Sequence, residues 1–400
     1  MKLSQFIAML LAIFIAVAAI AAVMLTRLSV SDESIEFKEA EGEHIQIENQ
    51  DKTPEFSSVN MLAVGDNLIH KPIYEQAKAR TSDGSYDFMP VYQNLAALIA
   101  SADIAVINQE TMMAESFDVS TYPCFNTPTV MASQLASLGF DVLTIANNHM
   151  LDKQSKGLIE TLDLINATPG LTSAGAFHGS EEYNQIKPVV VNGISFVFLS
   201  YTEHTNGITI PEEKESYIVY LDELDVVQRQ VEYAETVADV VVVSMHAGIE
   251  YSDDENDIQR NFAQNVVNWG ADLVIGTHPH TLQPVEYLSN ADGKEVPVLY
   301  SLGNFVSAQD KVRRLIGGMA NITFTKNNTT GEVTVSKPQL DIVITHYGSG
   351  FSGIKLYRLA DYTDSLAAAH GNSDMSIDYI YKHIRKVIGD EYLIDEYKSK

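Results

Sequence analysis

Apolar positions along the chain form three patterns. Phe6 to Leu25 is an unbroken run of twenty apolar or small residues, with Lys2 before it and Arg27 after it. Residues 28–57 show almost no periodicity. From Val59 onward, short β-branched runs alternate with stretches of helical period. The short runs predict strands at Ser58–Val64, Ile104–Ile107, Asp141–Ala146, Asp239–Met245, Asp272–Gly276, Val298–Leu302 and Ile342–His346. The intervening stretches predict helices at Val91–Ala100, Val130–Leu138 (stopped by Gly139), Ser155–Asn166, Leu221–Val237, Ile258–Trp269 and near Ile377–Ile388. Val189–Leu199 reads as a hairpin turning at Asn192-Gly193, and Ile322–Thr325 with Val333–Val335 as a second one. Continuous apolar strands alternating with helices mean a layered α/β fold.

At 1.5 Å per residue the N-terminal run spans roughly 30 Å, the thickness of a bilayer's hydrocarbon core. Its length and the closing Arg27 favour a retained single-pass anchor. A cleaved signal peptide is the competing reading, since that type of segment usually has an apolar stretch of only about 7–15 residues. Both readings place the rest of the chain outside the cytoplasm, although one positive charge on each side gives the positive-inside rule little to act on. Residues 28–57 carry nine acidic and two basic residues, which describes a solvated, self-repelling linker. The expected layout is therefore a membrane anchor at 1–27, the linker at 28–57, an α/β domain at 58–346 and a helical extension at 347–400.

The chain has 400 residues, 46% of them hydrophobic, and a formal net charge of −27. That charge argues against nucleic acid as a partner, because neutralising phosphates needs clustered Lys and Arg. Cys124 is the lone cysteine, so a thiolate metal site and an intramolecular disulfide are both excluded. Any metal must be held by His, Asp, Glu or Asn.

Such residues stand where five predicted strands end. The loops are Gly65-Asp66, Asn108-Gln109-Glu110, Asn147-Asn148-His149, His246, and His278-Pro279-His280. Singly, each has an ordinary explanation as a turn, a helix cap or a packed histidine. Together they occupy the rim where open α/β sheets bind ligands. Two carboxylates, an amide oxygen and several imidazoles suit Mn, Zn or Fe, and the set is large enough for two divalent ions.

The ordered motifs Gly65-Asp66, Asn108-Gln109-Glu110, Ala146-Asn147-Asn148-His149 with Asp152, His246-Ala247-Gly248-Ile249-Glu250-Tyr251, Gly276-Thr277-His278-Pro279-His280 and Tyr300-Ser301-Leu302-Gly303-Asn304-Phe305 resemble the CapA family of capsule and poly-γ-glutamate biosynthesis proteins. That domain is similar to calcineurin-like metallophosphoesterases, which implies a four-layer α/β/β/α sandwich. The resemblance implies Asp66 and His280 as ligands of a first metal, His246 and His278 as ligands of a second, Glu110 as the bridging carboxylate, Asn148 as the amide ligand and His149 as the catalytic histidine. Where the superfamily pattern has a histidine two positions after the first aspartate, this chain has Asn67-Leu68, with His70 two residues further on. Met150 replaces an acidic residue, with Asp152 beyond it. His70, Asn108, Asn147, Asp152, Glu250 and Asn304 are expected to touch substrate or to hold a ligand, and the Tyr300–Phe305 segment to buttress the site. His44, His178, His204, His346, His370 and His383 carry no motif and read as surface or structural.

Two functions follow. One is a membrane-anchored, extracytoplasmic hydrolase whose two-metal centre acts on a phosphoester or on an amide or ester bond of a surface polymer. The alternative is a non-enzymatic polymer-binding or export component, working with the membrane, the polymer and other capsule or polyglutamate synthesis proteins.

Overall fold

A computed structural model describes residues 54–179, 181–182, 185–209 and 218–399. The apolar run expected to anchor the chain lies outside the described residues, as does most of the acidic stretch. Among the described residues, no helix is long and apolar enough to cross a membrane.

In chain order the strands are β1 (Phe56–Asn67), β2 (Ile104–Asn108), β3 (Val142–Thr144), β4 (Thr172–Ala174), β5 (Val189–Val191), β6 (Ile194–Thr202), β7 (Val240–His246), β8 (Leu273–Thr277), β9 (Val285–Ser289), β10 (Glu295–Leu299), β11 (Asn304–Val306), β12 (Ile316–Asn327), β13 (Val333–Val335), β14 (Gln339–Gly348) and β15 (Ser352–Arg358). The main helices are α1 (Lys71–Ala79), α2 (Val130–Leu138), α3 (Gln154–Ala167), α4 (Leu224–Val237), α5 (Asp257–Trp269), α6 (Asp364–Ala369) and α7 (Ile377–Val387). The first sheet has the order β15-β14-β12-β1-β2-β3-β4, with β11 beside the end of β1 and β13 beside β12. The second has the order β5-β6-β7-β8-β10-β9. Strands β1 to β4 run parallel, as do β6, β7, β8 and β10, so the strands that carry the motifs end on a common side within each sheet.

The two sheets pack face to face because their strands alternate with a period of two. Ile194, Phe196, Val240, Val242, Leu273 and Ile275 join the core of the first sheet. Their neighbours Val197, Leu199, Val241, Val243 and Val274 face the other way, onto Val227 and Val231 of α4 and Phe262 and Val266 of α5. The Phe196 and Phe324 rings meet edge to face across the two sheets, 5.2 Å apart. Helices α1, α2, α3 and α7 share the first sheet's core through Ile73, Leu135, Leu162 and Ile384. Each such buried side chain stabilises the fold by about 1.5–3 kcal/mol.

The expected strands and helices are present, with differences that have local causes. The helix expected over Val91–Ala100 is two short pieces, Met89–Tyr92 and Ala96–Ile99, joined by a 3-10 turn. Asn94 lies in that turn and donates its Nδ2 to the Leu356 carbonyl of β15. Helix α1 buries only Ile73 and Ala77, too few positions to register as a periodicity. Strands β4 and β11 have three residues each, below the length at which alternation is visible. The segment 347–400, expected as a helical extension, also supplies β15 to the first sheet, antiparallel to β14.

One segment stitches the sheets together at the ends of their parallel strands. Leu302 N donates to the Gly276 carbonyl of β8, and Asp66 N in β1 donates to the Gly303 carbonyl. The approach is so close that a Cβ on Gly65 would lie 1.8 Å from the Gly303 oxygen, and one on Gly276 would lie 1.8 Å from the Tyr300 oxygen. Only glycine is tolerated at such contacts. The Tyr300–Phe305 motif therefore acts as the buttress the sequence led us to expect, and it sets Asn304 in register with Asp66.

Candidate metal centre

The centre is assembled from strand ends of both sheets. Asp66 is the penultimate residue of β1, in its buried half, Asn108 is the last residue of β2, and Glu110 follows two residues later. His246 is the last residue of β7, and His278 and His280 follow the end of β8. All of these side chains are buried. His278 and His280 have positive φ angles of 98° and 59°, a strained conformation held only where its surroundings enforce it.

Two pockets of donors adjoin one another. In the first, ligand atoms of Asp66, Glu110 and His280 all lie within 4.8 Å of one another. Asp66 Oδ2 is 3.1 Å from His280 Nδ1, and Asp66 Oδ1 accepts from Asn108 Nδ2 at 2.7 Å. Asn304 Oδ1 lies 3.0 Å from the same His280 nitrogen, while Asn304 Nδ2 donates to the Arg314 carbonyl at 2.9 Å. In the second pocket, His246 Nε2 lies 2.9 Å from Asn148 Oδ1 and 3.2 Å from His278 Nδ1. His246 Nδ1 lies 2.9 Å from the Thr277 hydroxyl and 3.3 Å from Asn108 Nδ2, so Asn108 touches both pockets.

Glu110 lies between them. It is 0% exposed, and neither carboxylate oxygen has a hydrogen-bond partner. Its Oε1 is 3.7 Å from His280 Nε2 and 3.9 Å from His246 Nε2. An unpaired buried carboxylate is costly, because its charge has lost water and gained nothing in return. Burial accordingly pushes the Glu110 pKa well above the ordinary carboxylate value. Burial would lower the His280 pKa, but Glu110, Asp66 and Glu250 outweigh it and hold it at about 9. Burial, reinforced by neighbouring imidazoles, pushes His246 and His278 well below the ordinary value, so they are neutral. Neutral imidazoles are the form a divalent cation requires, so His246 and His278 are ready for one, whereas at Glu110 and His280 a bound cation would displace the protons that their raised pKa values favour. The donor set fits such an ion in each pocket.

His149 stands beside the centre after β3. Its Nδ1 is 2.8 Å from Asp152 Oδ2, and Phe125 N donates to that same oxygen at 2.6 Å. The Phe125 ring packs edge to face on the imidazole at 4.7 Å. Asp152 thus supplies the carboxylate contact that Met150 cannot. Asn147 is a framework residue: it donates to the Gln109 carbonyl and accepts from His149 N. His70 lies near the centre but does not bond to Asp66. Its Nδ1 faces the Leu68 carbonyl and Ala308 N, and it is not among the Asp66, Glu110 and His280 ligand atoms that cluster in the first pocket. Burial lowers the His70 pKa to about 4, helped by the nearby His280 and His149. Glu250 is exposed and lines the same cleft, of about 340 Å³, as His70, His149 and His280.

Residues 60–309 match the family described as bacterial capsule synthesis protein PGA_cap. The chain belongs to that family. Its relatives include the PGA biosynthesis protein CapA of Bacillus subtilis (strain 168), 27% identical over 278 residues, covering 66% of this chain and 68% of that one. The capsule biosynthesis protein CapA of Bacillus anthracis is 27% identical over 286 residues, covering 70% and 67%. Among solved structures, a novel phosphatase from Mycoplasma pneumoniae aligns with a TM-score of 0.43 and 13% identity, covering 72% of this chain and 94% of its own.

Within this PGA_cap chain, the sequence reading missed three residues of the site. His204 was expected to be surface or structural, yet its ring packs edge to face on His278 at 5.2 Å. It lies two residues beyond the end of β6, so the strand-end rule that found the other loops would have found it. Thr277 stands inside the Gly276-Thr277-His278-Pro279-His280 motif, which gives it no role of its own, and Arg314 lies outside every motif, so nothing in its sequence neighbourhood marks it as part of the cleft.

Proposed function

We propose that this protein is a metal-dependent hydrolase of the metallophosphoesterase type, serving capsule or poly-γ-glutamate biosynthesis. Its catalytic domain would be held outside the cytoplasm by the apolar run at Phe6–Leu25. The observation that carries the enzymatic reading is Glu110, a fully buried carboxylate with both oxygens unpartnered between two groups of ligand-type side chains. Asp66, Glu110 and His280 would hold one ion. Asn148, His246 and His278 would hold a second, with Glu110 shared. When bound, divalent ions supply Lewis acidity toward a phosphoryl or acyl oxygen.

The remaining chemistry belongs to the chain. Asp152 accepts from His149 Nδ1, which fixes the tautomer and leaves Nε2 to give or take a proton. The Phe125 ring keeps the imidazole from rotating away. Asn108 and Thr277 orient Asp66 and His246. The bond cleaved is a phosphoester, or an amide or ester bond in the polymer.

The test is elemental analysis of the full chain before and after loading with Mn²⁺ or Zn²⁺, followed by hydrolysis of an aryl phosphodiester. The expected result is about two ions per chain and metal-dependent turnover. A protein that retains no metal after loading would overturn the hydrolase reading and leave the non-enzymatic polymer-binding role.

A further inference from the structure

Arg314 is the one Lys or Arg among the described residues that line the cleft beside the centre. Its neighbour Arg313 is engaged elsewhere, 3.7 Å from Asp253. The Arg314 guanidinium lies flat on the Tyr251 ring, 3.4 Å from its centroid, and that ring is in turn 5.9 Å from the His280 ring. Its Nε is buried with no hydrogen-bond partner. Its carboxylate neighbour, Asp310 at 3.7 Å, is 66% exposed and so is weakly held in water. The Arg314 main chain is tied to the centre, because its carbonyl accepts from Asn304, the residue in contact with His280. A guanidinium fixed by stacking, with an unused donor and a solvent-exposed, weakly held counter-charge, is prepared to receive a planar anion.

We propose that Arg314, held by Tyr251, recognises an anionic group on the substrate and so sets which molecules reach His149 and His280. This rests on the hydrolase reading for the cleft's role as substrate site. The chemistry recognised is a pair of carboxylate or phosphoryl oxygens. The chain's net charge of −27 disfavours anions in general, and Glu250 and Asp310 also line this cleft, so Arg314 is the group in it able to attract an anion at long range and to fix its position.

Calorimetric titration of the Mn²⁺-treated full chain tests this with two probes, a γ-linked glutamate oligomer and inorganic phosphate. Wild-type protein should bind at least one of them. Arg314→Gln should weaken that binding about tenfold or more, as expected for loss of a charge-assisted contact. Arg314→Lys should recover only part of it, because ammonium lacks the planar fork. Tyr251→Leu should give an intermediate loss. An oligomer whose carboxylates are amidated should bind wild type and Arg314→Gln equally. An effect confined to the glutamate oligomer assigns Arg314 to carboxylates, and one confined to phosphate assigns it to phosphoryl groups. Unchanged Kd for both probes in Arg314→Gln, or binding of neither probe by wild type, overturns the proposal. Metal content measured on the same samples separates the two readings. Metal retained with unchanged Kd removes only the role of Arg314, whereas a metal-free protein whose anion binding still depends on Arg314 removes only the metal centre.

Discussion

The carboxylate pocket and the imidazole pocket solve opposite electrostatic problems. Asp66 and Glu110 come from the first sheet and bring two carboxyl groups into a buried space, where burial raises the Glu110 pKa well above its ordinary value. His246 and His278 come from the second sheet and remain neutral under burial and mutual repulsion. Asn108 and Glu110 stand where the two meet. The imidazole pocket is already satisfied by internal contacts among Asn148, Thr277 and its own rings. The carboxylate pocket is not, since both Glu110 oxygens lack donors and His280 must carry the positive charge. The difference teaches that the demand for a cation is concentrated on one side, and that Glu110 transmits it to the other.

The comparison breaks most sharply at Glu110. Glu110→Gln should lower metal content in both pockets and cost more than about 100-fold in affinity, beyond the range seen for partners that merely orient a ligand. His278→Ala should empty only the imidazole pocket. Elemental analysis of the two variants checks this, and equal losses would mean that the pockets are not distinct. A smaller effect is expected next to the pockets. His149→Ala should reduce turnover of an aryl phosphodiester by about 10²–10⁴-fold while metal content stays at the wild-type level. Asp152→Asn, which leaves the His149 imidazole in place but weakens its orientation and the Phe125 contact on the same oxygen, should reduce it less. A kcat equal to wild type in His149→Ala would show that the pockets act without it.

The smallest effect lies far from both pockets and tests whether burial alone can govern a histidine here. His346 on β14 is held at a pKa of about 4 by burial, reinforced by the nearby His370. Its folded value lies below the unfolded value of about 6.5. Between these values the unfolded chain binds the proton and the folded chain does not, so stability is lost as pH falls from about 6.5 toward 4. Urea midpoints of wild type and His346→Gln across that window should converge as pH falls, and parallel profiles would refute the assignment.

Much of this was legible in one dimension. Val130–Leu138 with its Gly139 stop was visible in full, because apolar spacing and a left-handed C-terminal glycine are local properties. So were the five strand-end loops, because a parallel strand buried on both faces reads as an apolar run that stops where the polar rim begins. The Asn256 and Gln259 capping box that starts α5 is equally local, although the helix expected from Ile258 onward leaves it out. Strand β11 was hidden, since its three residues owe their place to the contact between Gly65 and Gly303.

By itself the sequence determined the α/β class, the family, the thiol-free donor chemistry and the identity of most of the side chains at the centre. These follow from residue type and from spacing along one chain. Tertiary structure decided which of them share a site. It set Asp152 rather than Met150 against His149, turned His70 toward Leu68 and Ala308, brought His204 to His278, and laid Arg314 on Tyr251. Each of these depends on the approach of segments distant in the chain or on the direction of a side chain, and both are fixed only when the two sheets close on a common core.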